Sequence, residues 1–256
     1  MASVARRAES LSASGQWAAF LLGTLVVAAG WGWGAVLVAY FVTSSLLTRL
    51  GATRKRIRTE SVLPVQPERD ARQVAANGGL FVALVVLGEA TGDPRLLVAG
   101  LGALAAAAAD TWATELGLLW GGTPHSIVSG RVMGAGESGG VTLVGTAATV
   151  LAAALVALVG VGLVPDGGGG ANAAGLAVLL AGVAGSVGDS VLGATLQSKR
   201  WCEQCRTWTE RRVHTCQYRT QHASGVRWMN NDTVNFLATA IGAAVALAAA
   251  IILVPR

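Results

Sequence analysis

The chain has 256 residues, 53% of them hydrophobic and only 13% charged, with a net charge of +5 and a mean hydropathy of +0.55. A soluble domain of this size carries about 25% charged residues, so an ordinary water-soluble fold is excluded and an integral membrane protein is expected. Aromatic residues make up 5% of the chain while Gly alone numbers 34, a bias that suits helices packed closely through small side chains.

A bilayer core needs about 20 apolar residues per helix. Such runs fall at roughly 16–31, 33–50, 73–91, 95–119, 139–164, 172–198 and 231–254. The expected architecture is therefore all-α: a polytopic bundle of about seven transmembrane helices in a single domain, 1–256. Arg6 and Arg7 precede the first run. That run is longer than a typical signal core and leads at once into another span, which argues against a cleaved leader. "WGWG", residues 31–34, separates the first two runs and predicts a tight turn with tryptophans at the interface.

Next comes "RLGATRKRIRTE", residues 49–60, the densest basic run. It reads either as a solvated loop that fixes topology or as an electrostatic seat for anionic lipid or substrate. The third span opens with Asn77 in "QVAANGG", and Glu89 near its far end reads as interfacial. The fourth ends in "AAAADTWATELG", which sets Asp110, Thr111, Thr114 and Glu115 close together with no Lys or Arg beside them. Asp110 and Glu115 lie about 140° apart on an ideal helix, so both reach one site only if the helix bends or ends there, or if one supports the other.

Residues 124–142, "PHSIVSGRVMGAGESGGVT", form a glycine-rich polar loop leading straight into a helix. Arg131, Gly136, Ser138, Gly139, Gly140 and Thr142 make it a candidate phosphate cradle, since consecutive N–H groups and a helix N-terminus attract anions. An ordinary interhelical loop is the alternative. The sixth span carries "GSVGDSVLGATLQ", where Asp189 precedes Ser190 about 15 Å along a helix from Lys199. Asp189, Gly193 and Gln197 share one face, with Gly193 leaving room between two polar groups. "NNDTVN" then puts Asn231, Asp232 and Asn235 at the start of the last span.

The three cysteines all fall in "CEQCRTWTERRVHTC". Cys202, Cys205, His214 and Cys216 supply the four soft ligands of a structural zinc knuckle within the 199–229 loop. An unmetallated or redox-active pair and incidental thiols are the other readings.

Seven spans divide the 19 Lys and Arg so that only Arg95 and Arg256 fall on one side. By the positive-inside rule the N-terminus is cytoplasmic. Asp110, Glu115, Asp189, Asp232 and Asn77 then converge on the inner half of the bilayer. Ionisable groups inside spans mark function by default, although each acid alone could be a structural hydrogen bond.

The motifs "ADTWATELG", "GRVMGAGESGGVTLVGT", "GSVGDSVLGATLQ", "CEQCRTWTERRVHTC" and "WMNNDTVNF" appear in the order expected of integral-membrane prenyl-phosphate kinases. That family includes plant phytyl-phosphate kinase and bacterial and archaeal proteins grouped under a domain of unknown function. The chain resembles it from about residue 73 to 240. Gln217 departs from the family, in which Gly often follows the last cysteine. The resemblance implies phosphoryl transfer, typically from CTP, to an isoprenoid monophosphate at the cytoplasmic face of a cell's plasma membrane. It implies Asp110, Glu115, the 134–142 loop, Asp189, Asn231 and Asp232 as the polar signature. On that reading Asp110, Asp189 and Asp232 hold Mg²⁺, an ion that prefers oxygen ligands. Glu115, Asn231 and Asn235 support them, with Asn77, Ser190 and Gln197 as further polar contacts. Arg131, Gly136, Ser138, Gly139, Gly140 and Thr142 hold nucleotide phosphates. The expected partners are the lipid substrate, a nucleoside triphosphate and membrane lipid, without nucleic acid. An ion-coupled transporter and a lipid cytidylyltransferase are the rival functions.

Overall fold

The computed structural model describes residues 11–63, 68–164 and 171–253. Arg6, Arg7 and Arg256, which contribute to the charge asymmetry, lie outside the described residues. Among the described residues eight α-helices run in order: α1 (Ala13–Ala29), α2 (Trp31–Arg49), α3 (Ala52–Thr59), α4 (Ala71–Thr91), α5 (Pro94–Trp120), α6 (Leu143–Gly160), α7 (Ala171–Thr195) and α8 (Asn231–Leu253). All but α1 and α3 are long and apolar enough to cross a membrane, six in number, counting with α6 the short 3-10 turn that follows it. α1 is apolar but has 17 residues. The protein is an all-α polytopic membrane bundle. Two small antiparallel sheets decorate its loops: β1 (His125–Ser126) with β2 (Gly140–Val141), and β3 (Lys199–Cys202) between β4 (Thr207–Thr209) and β5 (Gln221–Ser224).

Polar side chains set most helix starts. Ser12 accepts from Gly15 N, Asp70 from Arg72 N and Gln73 N, Asp93 from Arg95 N with Pro94 at the first helical position, and Thr142 from Gly145 N. Each satisfies a backbone donor that the first turn leaves free. α4 stops at Gly92, whose φ of 69° is left-handed.

α5 is the axis of the bundle. Its residues Leu97 to Ala109 are all buried, as expected of a helix that is apolar all round. α4, α6, α7 and α8 all pack on it. The approach depends on small residues: a Cβ on Gly182 would meet Ala105 Cβ at 3.1 Å, and one on Gly102 would meet Ala181 Cβ at 3.1 Å. Leu21, Leu46, Leu151, Leu158, Leu180 and Ile252 lie exposed on the outer surface, where lipid supplies the apolar surroundings.

The two ends of the bundle differ. Segments 50–63, 121–142 and 196–230 gather at one end through backbone and side-chain hydrogen bonds, including Glu210 N to Val62 O (2.8 Å) and Lys199 Nζ to Ser138 O (2.9 Å). Ser12 N joins them by donating to Arg69 O at 3.1 Å. At the opposite end Trp33 Nε1 donates to Glu89 Oε1 at 2.7 Å. Glu89 is exposed there and serves as an acceptor for a buried indole.

Several boundaries differ from the sequence-based expectation. "WGWG" is no turn: Gly30 alone separates α1 from α2, and residues 31–34 form the first turn of α2. Trp33 is buried because its N–H finds Glu89, whereas Trp31 stays exposed. The fifth span starts at Leu143 rather than 139, because residues 139–142 are drawn into β2 and the helix cap. The sixth ends at Thr195 rather than 198, so Asp189 stands about 9 Å from the helix end.

Candidate active site

α5 and α7 both run toward the loop-rich end, and their contacts repeat every four residues. Gly102 meets Ala181, and one turn later Ala106 meets Gly185. The next step in that register is Asp110 opposite Asp189, since residues four apart share a helix face. The two carboxyl groups lie within hydrogen-bonding reach of each other. Asp189 Oδ2 is buried and has no hydrogen-bond partner among the described residues. An acceptor left without a donor in a dry interior is costly, and a second acid alongside adds repulsion. This pair is an unfavourable polar feature of the spans.

A third acid stands nearby, one that no sequence motif singles out. Glu210, just after β4, acts electrostatically on Asp189. Its Oε1 accepts from Ser138 Oγ and from Gln197 Nε2, the latter at 2.8 Å. Burial pushes the Glu210 carboxyl above the usual range, opposed by the Ser138 bond and by the charge of Lys199. Burial likewise pulls the Lys199 ammonium down, opposed by Glu137 and Glu210. Thr209 Oγ1 to Val62 O (3.0 Å) and Arg211 Nε to Leu63 O (2.7 Å) pin the strand on either side of Glu210. Its only signal in the sequence is an acid between Thr209 and Arg211 in a stretch dominated by cations and cysteines.

On another face of α5 a second polar seam meets α2. Tyr40, Ser44 and Thr48 recur every four residues, as do Thr111 and Glu115. Tyr40 is buried on this seam, and Thr111 Oγ1 donates to Ala107 O at 2.9 Å within its own helix. Thr48 Oγ1 donates to Glu115 Oε1 at 2.7 Å, and Lys55 from α3 forms an ion pair with Glu115 Oε2. Lys55 Nζ also donates to Leu47 O (2.7 Å) and Thr48 O (2.8 Å), the closing carbonyls of α2. Arg58 does the same at the end of α5, donating to Leu118 O and to Gly122 O (2.6 Å). The basic run 49–60 is therefore a short helix, two of whose cations cap other helices, rather than a loop free in solvent.

The remaining polar residues of the motifs take varied places. The space above Gly193 is taken by the loop: a Cβ there would meet Gly139 N at 3.1 Å and Ser138 Cβ at 3.3 Å. Ser138 and Gly139 thus fill the gap between Asp189 and Gln197. Gly136 and Gly139 have φ of 87° and 88°, which allow the loop to turn onto Thr59 and Ala194. Gly140 pairs with Ser126 in β2. Thr142 uses its hydroxyl to cap α6. Arg131 is exposed, and its carbonyl accepts from Ser126 N at 2.8 Å. Asn77 Nδ2 donates to Gln73 O at 3.0 Å within its own helix. Ser190 and Asn235 are half-buried and Asn231 is exposed. Asp232 has Asp70 and Arg72 as its charged neighbours at the start of α4. Asp110 and Asp189 thus come together, while Asp232 faces a different set of charges.

Cys202, Cys205, His214 and Cys216 converge beside the three-stranded sheet, their ligand atoms all within 4.8 Å of one another. This is the group of three or more Cys, His, Asp or Glu ligands close enough to share an ion among the described residues. Cys202 Sγ lies 3.7 Å from Cys216 Sγ, and His214 Nδ1 lies 3.3 Å from the same sulfur. A tetrahedron with metal–sulfur bonds of about 2.3 Å has an edge near 3.8 Å, so the cluster is able to hold a metal ion. The His214 hydrogen bond lowers the Cys216 thiol to about 6, favouring thiolate. Arg206 and Gln217, each just after a cysteine, adopt left-handed φ of 49° and 65°. Gln217 thus makes the turn for which Gly is better suited.

The sequence profile described as integral membrane protein DUF92 matches residues 1–243. The chain belongs to this family. Protein PGR of Arabidopsis thaliana is 33% identical over 250 residues, covering 90% of this chain and 85% of its own. An uncharacterized membrane protein of Methanocaldococcus jannaschii, MJ0933, is 27% identical, covering 81% and 71%. Protein VTE6, chloroplastic, of Arabidopsis thaliana is 28% identical, covering 93% of this chain and 64% of its own. Similar proteins therefore occur in a plant and an archaeon, and one carries a chloroplast location in its name. The comparison with solved structures found no match.

Proposed function

We propose that the protein is a nucleotide-dependent prenyl-phosphate kinase acting at the loop-rich end of the bundle, and that this end faces the cytoplasm with α1 as a seventh span. The observation that carries the reading is the Asp110–Asp189 pair, with a buried carboxylate oxygen that no protein donor satisfies among the described residues. Two acids kept together, with no ion pair to either among the described residues, suit chemistry in which a divalent ion and phosphate oxygens complete the site. The motif resemblance to prenyl-phosphate kinases and the similarity to VTE6 point the same way.

In the reaction, a phosphate oxygen of the isoprenoid monophosphate attacks the γ-phosphorus of a nucleoside triphosphate. The bond from that phosphorus to the β,γ-bridging oxygen breaks, leaving a nucleoside diphosphate and an isoprenoid diphosphate. The acceptor oxygen is already ionised near neutral pH, so alignment and charge neutralisation matter more than a strong base. Asp110 and Asp189 would hold Mg²⁺, which supplies charge neutralisation for the phosphates. Ser138, on the loop held by Lys199 and Glu210, presents backbone near the pair. Lys199, Arg69 and Arg131 are among the cations of this end that phosphate would meet. The Cys/His cluster would hold zinc in a structural role, anchoring the sheet that leads to Glu210. On this reading Asp232 serves the entrance beside Asp70 and Arg72 rather than the ion itself.

The test is detergent-purified protein with Mg²⁺, the four common nucleoside triphosphates, and farnesyl, geranylgeranyl and phytyl monophosphates. Formation of the diphosphate with release of nucleoside diphosphate, CDP above all, is expected. Release of pyrophosphate with a nucleotidylated lipid would make it a cytidylyltransferase. Absence of turnover, with gradient-driven uptake in sealed vesicles, would make it a carrier.

A further inference from the structure

α3 has two faces, and among the described residues only the inner one is engaged. That face holds Lys55 and Thr59, four residues apart and both buried. Lys55 donates to Leu47 O and Thr48 O at the end of α2, and Arg58 to Leu118 O and Gly122 O at the end of α5. Gly51, at φ 62°, makes the turn that starts the helix, with Leu119 of α5 close to where a Cβ would stand. α3 is thus tied to the ends of two spans and lies across them rather than continuing either.

The outer face has a different composition. Ile57 lies about 200° round the helix from both Lys55 and Thr59 and is 62% exposed. Arg54 and Arg56 flank it, one on each side, both exposed and neither with a hydrogen bond or ion pair among the described residues. Glu60, the exposed acid that follows, forms no ion pair there either, so the face stays net positive. Val42, Leu46 and Leu50, spaced by four on α2 and its cap, are exposed and lead straight to Gly51. Trp120 is exposed at the end of α5, between the two residues whose carbonyls Arg58 holds, and exposed tryptophan at a span end marks the membrane interface. The outer face of α3 therefore begins where a lipid-facing apolar stripe ends. An apolar residue between two unpaired cations fits a surface that is apolar on one side and anionic on the other, the headgroup boundary of an acidic leaflet.

We infer that the outer face of α3 is a docking surface for anionic glycerophospholipid, with Arg54 and Arg56 on headgroup phosphates and Ile57 among the first carbons of the acyl chains. Charge selects the occupant. A zwitterionic leaflet offers phosphates that already carry an ammonium, and a small soluble anion gives Ile57 nothing to bury against. The inference is independent of the kinase reading and concerns a lipid that is not transformed. The inner face of the same helix closes α2 and α5 and pairs with Glu115, so lipid held outside steadies both span ends. Acidic lipid then acts as a stabilising ligand of the state in which α3 is docked.

The test titrates phosphatidylglycerol or phosphatidylcholine into the full chain in detergent and counts bound lipid by native mass spectrometry. Hydrogen exchange of the 52–60 amides is then compared in nanodiscs of phosphatidylcholine alone and mixed with phosphatidylglycerol. Phosphatidylglycerol is expected to bind in preference and to slow exchange over 52–60 at least tenfold, with both effects shrinking as salt rises. Arg54→Gln with Arg56→Gln should lower phosphatidylglycerol affinity about thirtyfold, as each cation near a charged surface contributes about 1 kcal/mol. Exchange in pure phosphatidylcholine should stay as in the wild type. Arg54→Lys with Arg56→Lys should keep most of the affinity, and Ile57→Ser should lower it for both lipids. Equal protection by the two nanodiscs, or undiminished phosphatidylglycerol affinity in the glutamine variant, overturns the inference. Protection by soluble glycerol phosphate overturns it in favour of an anion site that needs no membrane. A change of oligomeric state in the glutamine variant overturns it in favour of a contact between copies of the chain.

Discussion

Asp110 and Glu115 sit five residues apart on the same buried helix, and their surroundings are opposite. Glu115 is answered in full: Thr48 donates to one oxygen and Lys55 pairs with the other. Lys55 in turn closes the end of α2. Asp110 is answered by another acid, Asp189, whose second oxygen has no donor among the described residues. The first arrangement explains itself as structure. The second is unfavourable as structure, and it persists because the fold holds two helices in contact through glycine and alanine. An acid that its own protein leaves unneutralised is the better candidate for chemistry.

Substitutions can break that contrast. Asp189→Asn or Asp110→Asn should lower turnover at least a hundredfold, as loss of a charge-stabilising group does, while the folded protein becomes no less stable because like-charge repulsion is relieved. Phosphoryl transfer and thermal unfolding measured on the same preparation would show it. Unchanged turnover removes these residues from the site. Glu115→Gln should do the opposite. It leaves Lys55 buried and uncompensated, which costs about 3–5 kcal/mol, or roughly 10 °C in Tm at about 2–4 °C per kcal/mol. Replacing both partners, as Lys55→Met with Glu115→Leu, should recover most of that loss, since an apolar pair often matches a buried ion pair. A double variant as unstable as the single one would mean that the Lys55 bonds to α2 matter more than the pair.

The Cys/His cluster offers a third point on the same scale. Cys205→Ser should abolish stoichiometric zinc in elemental analysis and lower Tm, with residual activity at low temperature retained. A wild-type preparation lacking zinc would leave only the thiols. The smallest effect concerns Glu210. Burial raises its pKa, so the folded state holds the proton more firmly than the unfolded chain. Stability from this group is thus greatest below the ordinary Glu range and falls as pH climbs through the raised value. Glu210→Gln should flatten the unfolding curve over that window. An unaltered slope would show that the carboxyl is relaxed by solvent.

Much of the bundle is legible in the order of its residues. The membrane character and the small-residue packing follow from composition, and the common depth of Asp110 and Asp189 from their places in their spans. The four metal-ligand candidates follow from their spacing. What stays hidden is long-range. Nothing local pairs Lys55 with Glu115 across 60 residues, so a cation that caps one helix and neutralises another looks like a topology signal. Gly193 looks like room for a ligand because its filler, the Ser138–Gly139 loop, arrives from another part of the chain. Glu210 is masked by its neighbours: in a basic, cysteine-bearing stretch an acid carries no pattern. "WGWG" misleads because Trp33 finds Glu89 on another helix.

The contact of Gly185 with Ala106 has a consequence for tuning. The gap between Asp110 and Asp189 is a dimension fixed one helical turn away, by a hydrogen atom where any other residue would put a carbon. Bulk added at that point would pry the two carboxyl groups apart like a shim under a hinge, with no polar atom changed.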